Sequence, residues 1–225
     1  EFSYGEIIKS FDFNDIEFES SRQLLVNLEL VNNIKRINKF HRVANKNLIE
    51  GGFYISCSET IPNRKIRLFN NNPYFFRSII IFIDFIYNRL IPKLPIFKQI
   101  YFYITKGKNR VLSKTEALGR IVSCGFNIVE YFENNNILYI ISEKSITPSL
   151  DTKPSYGVFF KMNRVAYKGK MVGFYKIRTM YPYSEFCQEL IDKENKIADS
   201  GKFNNDFRIT YWGKYLRKFW IDELP

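Results

Sequence analysis

The chain has 225 residues, which is enough for one large domain or two small ones. Hydrophobic residues make up 45% of it and charged residues 25%, so the composition allows a buried core and excludes bulk disorder. The net charge of +11 favours an anionic partner, which could be nucleic acid, phospholipid headgroups or a phosphorylated substrate.

The positive charge is concentrated in the middle of the chain. Residues 1–30 carry seven acids and two bases, whereas residues 61–110 carry ten bases and a single acid, Asp84.

The three cysteines are widely spaced and form no CxxC pair, which favours a reducing environment over a disulfide framework or a zinc site. The single histidine, His41, lies in a basic helical pattern, and we expect it to be an ordinary surface or boundary residue.

The first part of the chain alternates predicted strands with predicted helices. A short apolar run over residues 24–30 predicts a buried strand, and residues 33–48 have a helical pattern. Gly51-Gly52 is then expected to turn the chain into a second strand over residues 53–60.

A helix and a hairpin are predicted further along the same part of the chain. Ser113 with Glu116 three residues later forms a capping box, and Gly125 can end the helix that it begins. Residues 127–133 and 137–143 read as strands, and the three asparagines between them are typical of a hairpin turn. This order of elements predicts an α/β fold.

The pattern over about residues 20–143 resembles the second half of a class I methyltransferase fold, in which a Gly-Gly turn precedes one strand and a closing hairpin ends the sheet. The resemblance implies a partial Rossmann-like (methyltransferase-like) sheet over residues 1–144. No GxGxG loop, which would hold S-adenosylmethionine, occurs in the chain. A scaffold without catalysis is therefore expected here; a methyltransferase completed by a missing half is the alternative.

An apolar, aromatic insertion at residues 70–110 interrupts this domain. Its first arm, residues 74–91, is near the minimum length for crossing a bilayer, and Arg77 and Asp84 interrupt it. On a helix, Arg77, Asp84 and Asn88 would share one face. We therefore expect an interfacial or re-entrant helix pair that contacts a membrane; the alternative is a helical pair packed on the sheet.

Residues 145–157 have the composition of a linker, and a smaller α+β region is predicted over residues 158–225. It begins with a hairpin of strands 158–166 and 171–178. A helix follows, with Ser184 as its expected cap and Gly201 as its expected end.

Motifs in this second region resemble those of the bacterial sugar transferase family, the monotopic polyprenyl-phosphate phosphoglycosyl transferases, in a Bacteroidetes-type subgroup with an upstream methyltransferase-like region. The matching residues are Arg164-Val165, Lys168-Gly169-Lys170, Tyr175-Lys176-Ile177-Arg178-Thr179-Met180, Asp206-Phe207-Arg208-Ile209-Thr210, Gly213, Leu216-Arg217 and Asp222-Glu223-Leu224-Pro225.

The resemblance implies a reaction in which a UDP-sugar donates its sugar-1-phosphate to a polyprenyl phosphate and UMP leaves. It assigns the nucleophile, which forms a covalent aspartyl phosphosugar, to Asp222 and a Mg²⁺ ligand to Glu223. It also implies a membrane surface as partner and a location at the cytoplasmic face of the bacterial inner membrane. A surface acid pair without catalytic function is the alternative for these two residues.

Four basic residues are candidate phosphate ligands, because guanidinium and ammonium groups bind phosphate oxygens. Each also has a structural alternative: a solvated strand face, a turn fixed by Asp206, or the end of a helix. The candidates are Lys176, Arg178, Arg208 and Arg217, and the expected supporting residues are Asp206, Thr210 and Gly213.

The chain departs from the family pattern in two places. The family's re-entrant helix directly precedes the Arg-Val strand, where this chain has the polar residues 145–157; the insertion could replace that helix. The family also continues past the Asp-Glu-Leu-Pro motif, so we expect the chain to be an excerpt that is inactive alone.

A basic nucleic-acid-binding module is the competing function, but no nucleic-acid motif is present and no nucleic acid is expected as partner.

Overall fold

The computed structural model of the chain describes residues 6–8, 22–145, 158–194 and 206–223. The chain divides into two compact units, Glu1–Leu150 and Asp151–Pro225. The division falls inside the segment 145–157 that the sequence predicts to be a linker. Residues 146–157 lie outside the described residues, so the linker stays a prediction.

Unit 1 is built on a five-stranded mixed sheet with the spatial order β1-β2-β3-β5-β4. The first three strands run parallel to one another, and β5 runs antiparallel to both β3 and β4. The strands are β1 (Glu6–Ile8), β2 (Arg22–Leu30), β3 (Leu48–Ser58), β4 (Phe126–Asn134) and β5 (Ile137–Lys144).

Five α-helices connect or cover these strands in the described part of unit 1. They are α1 (Ile37–Asn47), α2 (Ile61–Asn71), α3 (Arg77–Phe85), α4 (Pro95–Thr105) and α5 (Lys114–Ser123), with a π-helical turn at Ile86–Leu90 between α3 and α4. The apolar side chains of α1 recur every three or four residues and are buried, as are those of α5. The core thus lies between these two helices and the sheet.

The predicted α/β class, with a mixed sheet and helices, is confirmed, whereas the methyltransferase-like arrangement stays a prediction. The capping box is present, because Ser113 Oγ accepts a hydrogen bond from the Glu116 backbone N–H at 3.1 Å. The hairpin is also present, and its two turn residues, Asn135 and Asn136, have positive φ angles of 49° and 59°.

Two predicted boundaries are wrong. The helix begins at Ile37 rather than at residue 33, because Val31–Asn33 forms a 3₁₀ turn held by Asn32, whose Nδ2 donates to Glu59 O at 2.8 Å. The glycine pair lies within β3 rather than before it. Gly51 has a φ of +72°, and the pairing register with β2 shifts at this point, so the pair is a bulge in a continuous strand.

The expectation for His41 is also wrong. His41 is 1% exposed and lies on the buried face of α1, with Nδ1 3.1 Å from the hydroxyl oxygen of Tyr54. Burial, with a smaller contribution from the charge of Arg120, lowers the pKa of His41 to about 3. The neutral imidazole is therefore part of the core.

The insertion is helical, as predicted. Pro92 lies in a 3₁₀ turn over Ile91–Lys93, and Pro95 is the first residue of α4, so the two prolines break the apolar run into separate helices. No helix within the described ranges is long and apolar enough to cross a bilayer.

Unit 2 contains an antiparallel hairpin of β6 (Phe159–Val165) and β7 (Met171–Ile177), each within a residue of its predicted bounds. Helices α6 (Gln188–Glu194) and α7 (Tyr211–Lys218) follow, and a 3₁₀ turn covers Ile221–Glu223. Ser184 does not cap α6. It is the first residue of a 3₁₀ turn, Ser184–Cys187, that precedes the helix. Gly201 lies outside the described residues.

Candidate active site

Thr179, two residues after the end of β7, connects the hairpin to α7. It is 5% exposed, and its carbonyl oxygen accepts hydrogen bonds from the Thr210 backbone N–H at 2.9 Å and the Thr210 hydroxyl at 3.1 Å. Its own hydroxyl accepts from Arg217 Nε at 2.8 Å. Both ends of α7 are thus tied to one residue that the sequence did not single out as a site residue.

Thr210 and Gly213 determine how α7 begins. Thr210 is the N-cap, and its Oγ1 accepts from the Gly213 backbone N–H at 2.9 Å. A methyl group built on Gly213 would lie 2.1 Å from the carbonyl oxygen of Thr179, a distance that no side chain tolerates. Gly213 therefore allows the close approach of the helix to Thr179, and two of the three predicted supporting residues, Thr210 and Gly213, lie at this junction.

Asp206 and Arg208 form a buried ion pair. Arg208 donates to the Asp206 carboxylate from Nε at 2.8 Å and from Nη2 at 2.7 Å, and its Nη1 donates to Gln188 Oε1 at 2.5 Å. Burial opposes ionisation of Asp206, but the hydrogen bonds and charge of Arg208 outweigh it and hold the pKa of that carboxyl below its ordinary value. The contacts of Arg208 agree with the structural alternative given for it above, in which Arg208 and Asp206 fix a turn.

Lys176 and Glu223 are brought together across the unit. Lys176 Nζ lies 2.5 Å from Glu223 Oε1, so a predicted phosphate ligand contacts the predicted metal ligand. The hydrogen bond and charge of Lys176 lower the pKa of Glu223, and the charge of Arg164 adds to this effect. Both side chains retain access to solvent.

Asp222 lies beside Glu223 on the same 3₁₀ turn, Ile221–Glu223, and is partly exposed. Within residues 158–194 and 206–223, no side chain pairs with its carboxylate. Trp220, directly before the turn, has a positive φ of 57°. The two adjacent carboxylates are thus held differently: Lys176 binds that of Glu223, whereas that of Asp222 is available.

The register of the hairpin shows which basic residues share a face. Phe160 pairs with Lys176, and side chains two residues apart on a strand lie on the same face, so Arg164 lies on the face of Lys176. Arg178 continues this alternation, with its guanidinium carbon 5.6 Å from the centre of the Phe160 ring. Burial lowers the pKa of Arg178, although Glu185 opposes this.

Sequence reasoning missed three residues of this arrangement: Arg164, Thr179 and Gln188. Arg164 and Thr179 belong to the quoted motifs, and the alternation of β6 could have identified Arg164 as a neighbour of Lys176. Nothing in the sequence points to Gln188, since its contact with Arg208 joins residues twenty positions apart.

The acid pair is the candidate metal position. No group of three or more histidine, cysteine or acidic side chains able to hold a metal ion occurs among the described residues. Two carboxylates nevertheless fit Mg²⁺, which commonly takes one or two carboxylates and completes its octahedron with water and substrate phosphate oxygens. Asp222 and Glu223 are the residues that would hold it.

Comparison with known proteins bears on residues 138–225, which match the family model described as bacterial sugar transferase. A galactosyl transferase, CpsE, from Streptococcus agalactiae serotype III (strain NEM316) is 39% identical over 67 residues, which are 29% of this chain. The chain spans 15% of the length of that relative.

Among solved structures, a possible exported protein from Bordetella parapertussis matches 58% of this chain and 41% of its own length, with 14% identity and a TM-score of 0.35. The family match covers all of unit 2 and, in unit 1, β5 from its second residue. Residues 138–225 of this chain are therefore similar to the bacterial sugar transferase family.

Proposed function

We propose that the protein transfers a sugar-1-phosphate from a UDP-sugar to a polyprenyl phosphate at the cytoplasmic face of the bacterial inner membrane, which would initiate a surface polysaccharide. The observation that carries the proposal is the adjacent pair Asp222 and Glu223, with Lys176 bound to only one of them. The pair lies in the stretch that matches the family model, and the name of the galactosyl transferase relative supports a sugar substrate.

Asp222 is the proposed nucleophile because its carboxylate is accessible and a carboxylate can attack phosphorus. An oxygen of Asp222 bonds to the phosphorus that carries the sugar, the bridging P–O bond of the diphosphate breaks, and UMP leaves with that bond's electron pair. A phosphate oxygen of the polyprenyl phosphate then attacks the same phosphorus. This second step releases the Asp222 carboxylate and forms the polyprenyl diphosphate sugar.

The main obstacle to this chemistry is electrostatic, because an anion must approach a diphosphate. Lys176 and Arg164 lie on one face of the hairpin, next to Glu223, and supply positive charge where it is needed. Glu223 would hold Mg²⁺, which when bound would neutralise phosphate oxygens and the charge that develops on the leaving UMP.

The other predicted phosphate ligands take different roles in this proposal. Arg178 continues the basic face and is the further candidate for direct phosphate contact. Arg217 donates from Nε to the Thr179 hydroxyl, and its two terminal nitrogens are the proposed phosphate contacts. Arg208 is a positioning residue, because each nitrogen of its guanidinium already has an acceptor in Asp206 or Gln188.

The test is UMP release by the complete gene product in membranes supplied with polyprenyl phosphate, Mg²⁺ and a panel of UDP-sugars. We expect one sugar to give UMP with the wild type and none to do so with Asp222→Asn. Glu189→Gln, which neutralises an exposed acid on α6, is the matched control and should retain wild-type release. Equal UMP release by wild type and Asp222→Asn would show that Asp222 is not the nucleophile.

A further inference from the structure

The helical insertion of unit 1 has its polar side chains turned inward. Asp84 of α3 accepts from Arg64 Nε at 2.7 Å and from Arg64 Nη2 at 2.6 Å. Asn88, one turn further, donates to Asp84 at 2.9 Å and accepts from the Tyr101 hydroxyl of α4 at 3.0 Å. The polar stripe that the sequence places on α3 therefore faces α2 and α4 rather than water.

This polar network fixes the rotation of α3 about its own axis. The Arg64 side chain is 4% exposed and also donates to Asn109 at 2.8 Å and to Glu59 at 3.3 Å. Arg67 of α2 adds a two-point contact with Glu59, at 2.5 and 3.0 Å. Turning α3 to bury its apolar side would carry Asp84 away from the buried Arg64 and break their two-point contact, which is costly.

The opposite, apolar side of the insertion is exposed to solvent. Phe75 is 87% exposed, Phe82 64% and Tyr103 86%, and Tyr74, Ile83 and Ile100 are also exposed. Monomeric soluble proteins rarely expose so many large apolar groups from one segment, and such patches mark interaction sites. Arg77 is not part of this exposed side: it packs against α2, with its guanidinium carbon 4.1 Å from the centre of the Phe69 ring.

We propose that this apolar side of α3 and α4 is a membrane-docking surface that enters the headgroup boundary of a bilayer containing anionic lipids. The helices would lie in the interface, with their aromatic side chains between acyl chains and headgroups and their polar network facing the protein. The inference deepens the proposed function, in that it names the segment that reaches the lipid acceptor's membrane, but its test needs no catalysis.

The charge of the insertion selects a lipid rather than a second copy of the chain. Residues 70–110 contain seven bases and one acid, Asp84, which pairs with Arg64 and Asn88. One of these bases, Arg89, is buried against Glu116. Exposed Lys65, Lys106 and Lys108 stand next to apolar residues of α2 and α4. A two-fold interface would bring this positive charge against itself, whereas anionic headgroups attract it.

The experiment is flotation of the purified chain with vesicles of phosphatidylcholine, alone and mixed with phosphatidylglycerol. We expect binding to the anionic vesicles that weakens at high salt. The double variant Phe75→Asp/Phe82→Asp should weaken it about tenfold or more, because it places two charges in the boundary. Val129→Asp, at a residue 56% exposed on the edge strand β4, is the matched control and should bind as the wild type does.

Circular dichroism of each variant checks that the exposed substitutions leave the fold intact. The triple variant Lys65→Glu/Lys106→Glu/Lys108→Glu should lose the preference for anionic vesicles, since it reverses the charge that selects them. Equal flotation of wild type and Phe75→Asp/Phe82→Asp would overturn the proposal. So would a wild type that does not float and instead forms a dimer that the same double variant disrupts.

Discussion

The Lys176 ammonium and the Glu223 carboxylate are in direct contact, with 2.5 Å between Nζ and Oε1. A cation is therefore already present where the acid pair would bind Mg²⁺. Lys176 would neutralise a substrate phosphate only by loosening its contact with Glu223, and it would compete with a bound Mg²⁺ for the same carboxylate.

Replacing Lys176 with methionine should separate metal binding from turnover. We expect the half-saturating concentration of Mg²⁺ to fall, because Glu223 loses its competing cation. We expect the maximal rate of UMP release to fall by about tenfold or more, because one positive charge near the diphosphate is gone. A Mg²⁺ titration of UMP release measures both quantities.

Lys161→Met is the matched control, since Lys161 lies on the other face of the hairpin, over Gly173. It should change neither quantity. A Lys176→Met protein whose half-saturating Mg²⁺ rises, or whose rate is unchanged, would contradict the competition between Lys176 and the metal.

Gly213→Ala should destabilise unit 2 by about 1–3 kcal/mol, the usual cost of overpacking. The added methyl group would lie 2.1 Å from a backbone carbonyl oxygen, that of Thr179, and neither backbone can move without losing the cap at Thr210. Urea unfolding followed by tryptophan emission measures the effect, because both tryptophans of the chain, Trp212 and Trp220, lie in unit 2.

Gly173→Ala is the informative comparison for that experiment. Its methyl group would also lie 2.1 Å from a neighbour, but that neighbour is the far end of the Lys161 side chain, which can swing away. It should cost much less than Gly213→Ala. Equal costs would mean that the close approach of α7 to Thr179 does not determine stability.

Local sequence signals predicted most of the secondary structure. The Ser113 capping box and the asparagine turn before β5 each depend on a few neighbouring residues, and both are present. The predicted bounds of β6 and β7 agree for the same reason, because alternation and the Lys-Gly turn are local. The predicted start of α1 is wrong because Asn32 forms hydrogen bonds with Glu59 and Arg110, which lie far along the chain.

Long-range contacts account for what sequence could not predict. The sequence placed Asp84 and Asn88 on one face of a helix, but only the structure shows that this face is paired with Arg64 and Tyr101 and that the apolar side points outward. In the candidate site, motifs selected Lys176 and Glu223 separately, whereas their contact depends on how the last turn packs on β7. The roles of the site residues stay predictions.

Breaking the Asp206–Arg208 pair should destabilise unit 2 by about 3 kcal/mol, because either single change leaves a buried charge without its partner. The side chains are 5% and 6% exposed. We expect Asp206→Asn and Arg208→Met to have similar costs in urea unfolding, and the double variant to cost less than their sum. Exactly additive costs would show that the two residues act independently. Glu189→Gln, at an exposed acid on α6, provides the control for removing a carboxylate.

Unit 1 should lose stability as the pH falls from 8 to 5, because of His41. Burial lowers the pKa of His41 to about 3 from an unfolded value of 6.5, so the unfolded state binds a proton in this range while the folded state does not. The unfolding free energy should therefore be highest above pH 6.5 and should decrease by about 2 kcal/mol by pH 5. His41 is the only histidine of the chain, so no other side chain with an ordinary pKa titrates between the carboxylates and the cysteines.

Urea unfolding followed by far-ultraviolet circular dichroism measures this decrease, with tryptophan emission recording unit 2 separately. In His41→Gln, whose amide can still bond to the Tyr54 hydroxyl, the decrease should nearly disappear. A variant with the same pH dependence as the wild type would show that His41 is not the group responsible.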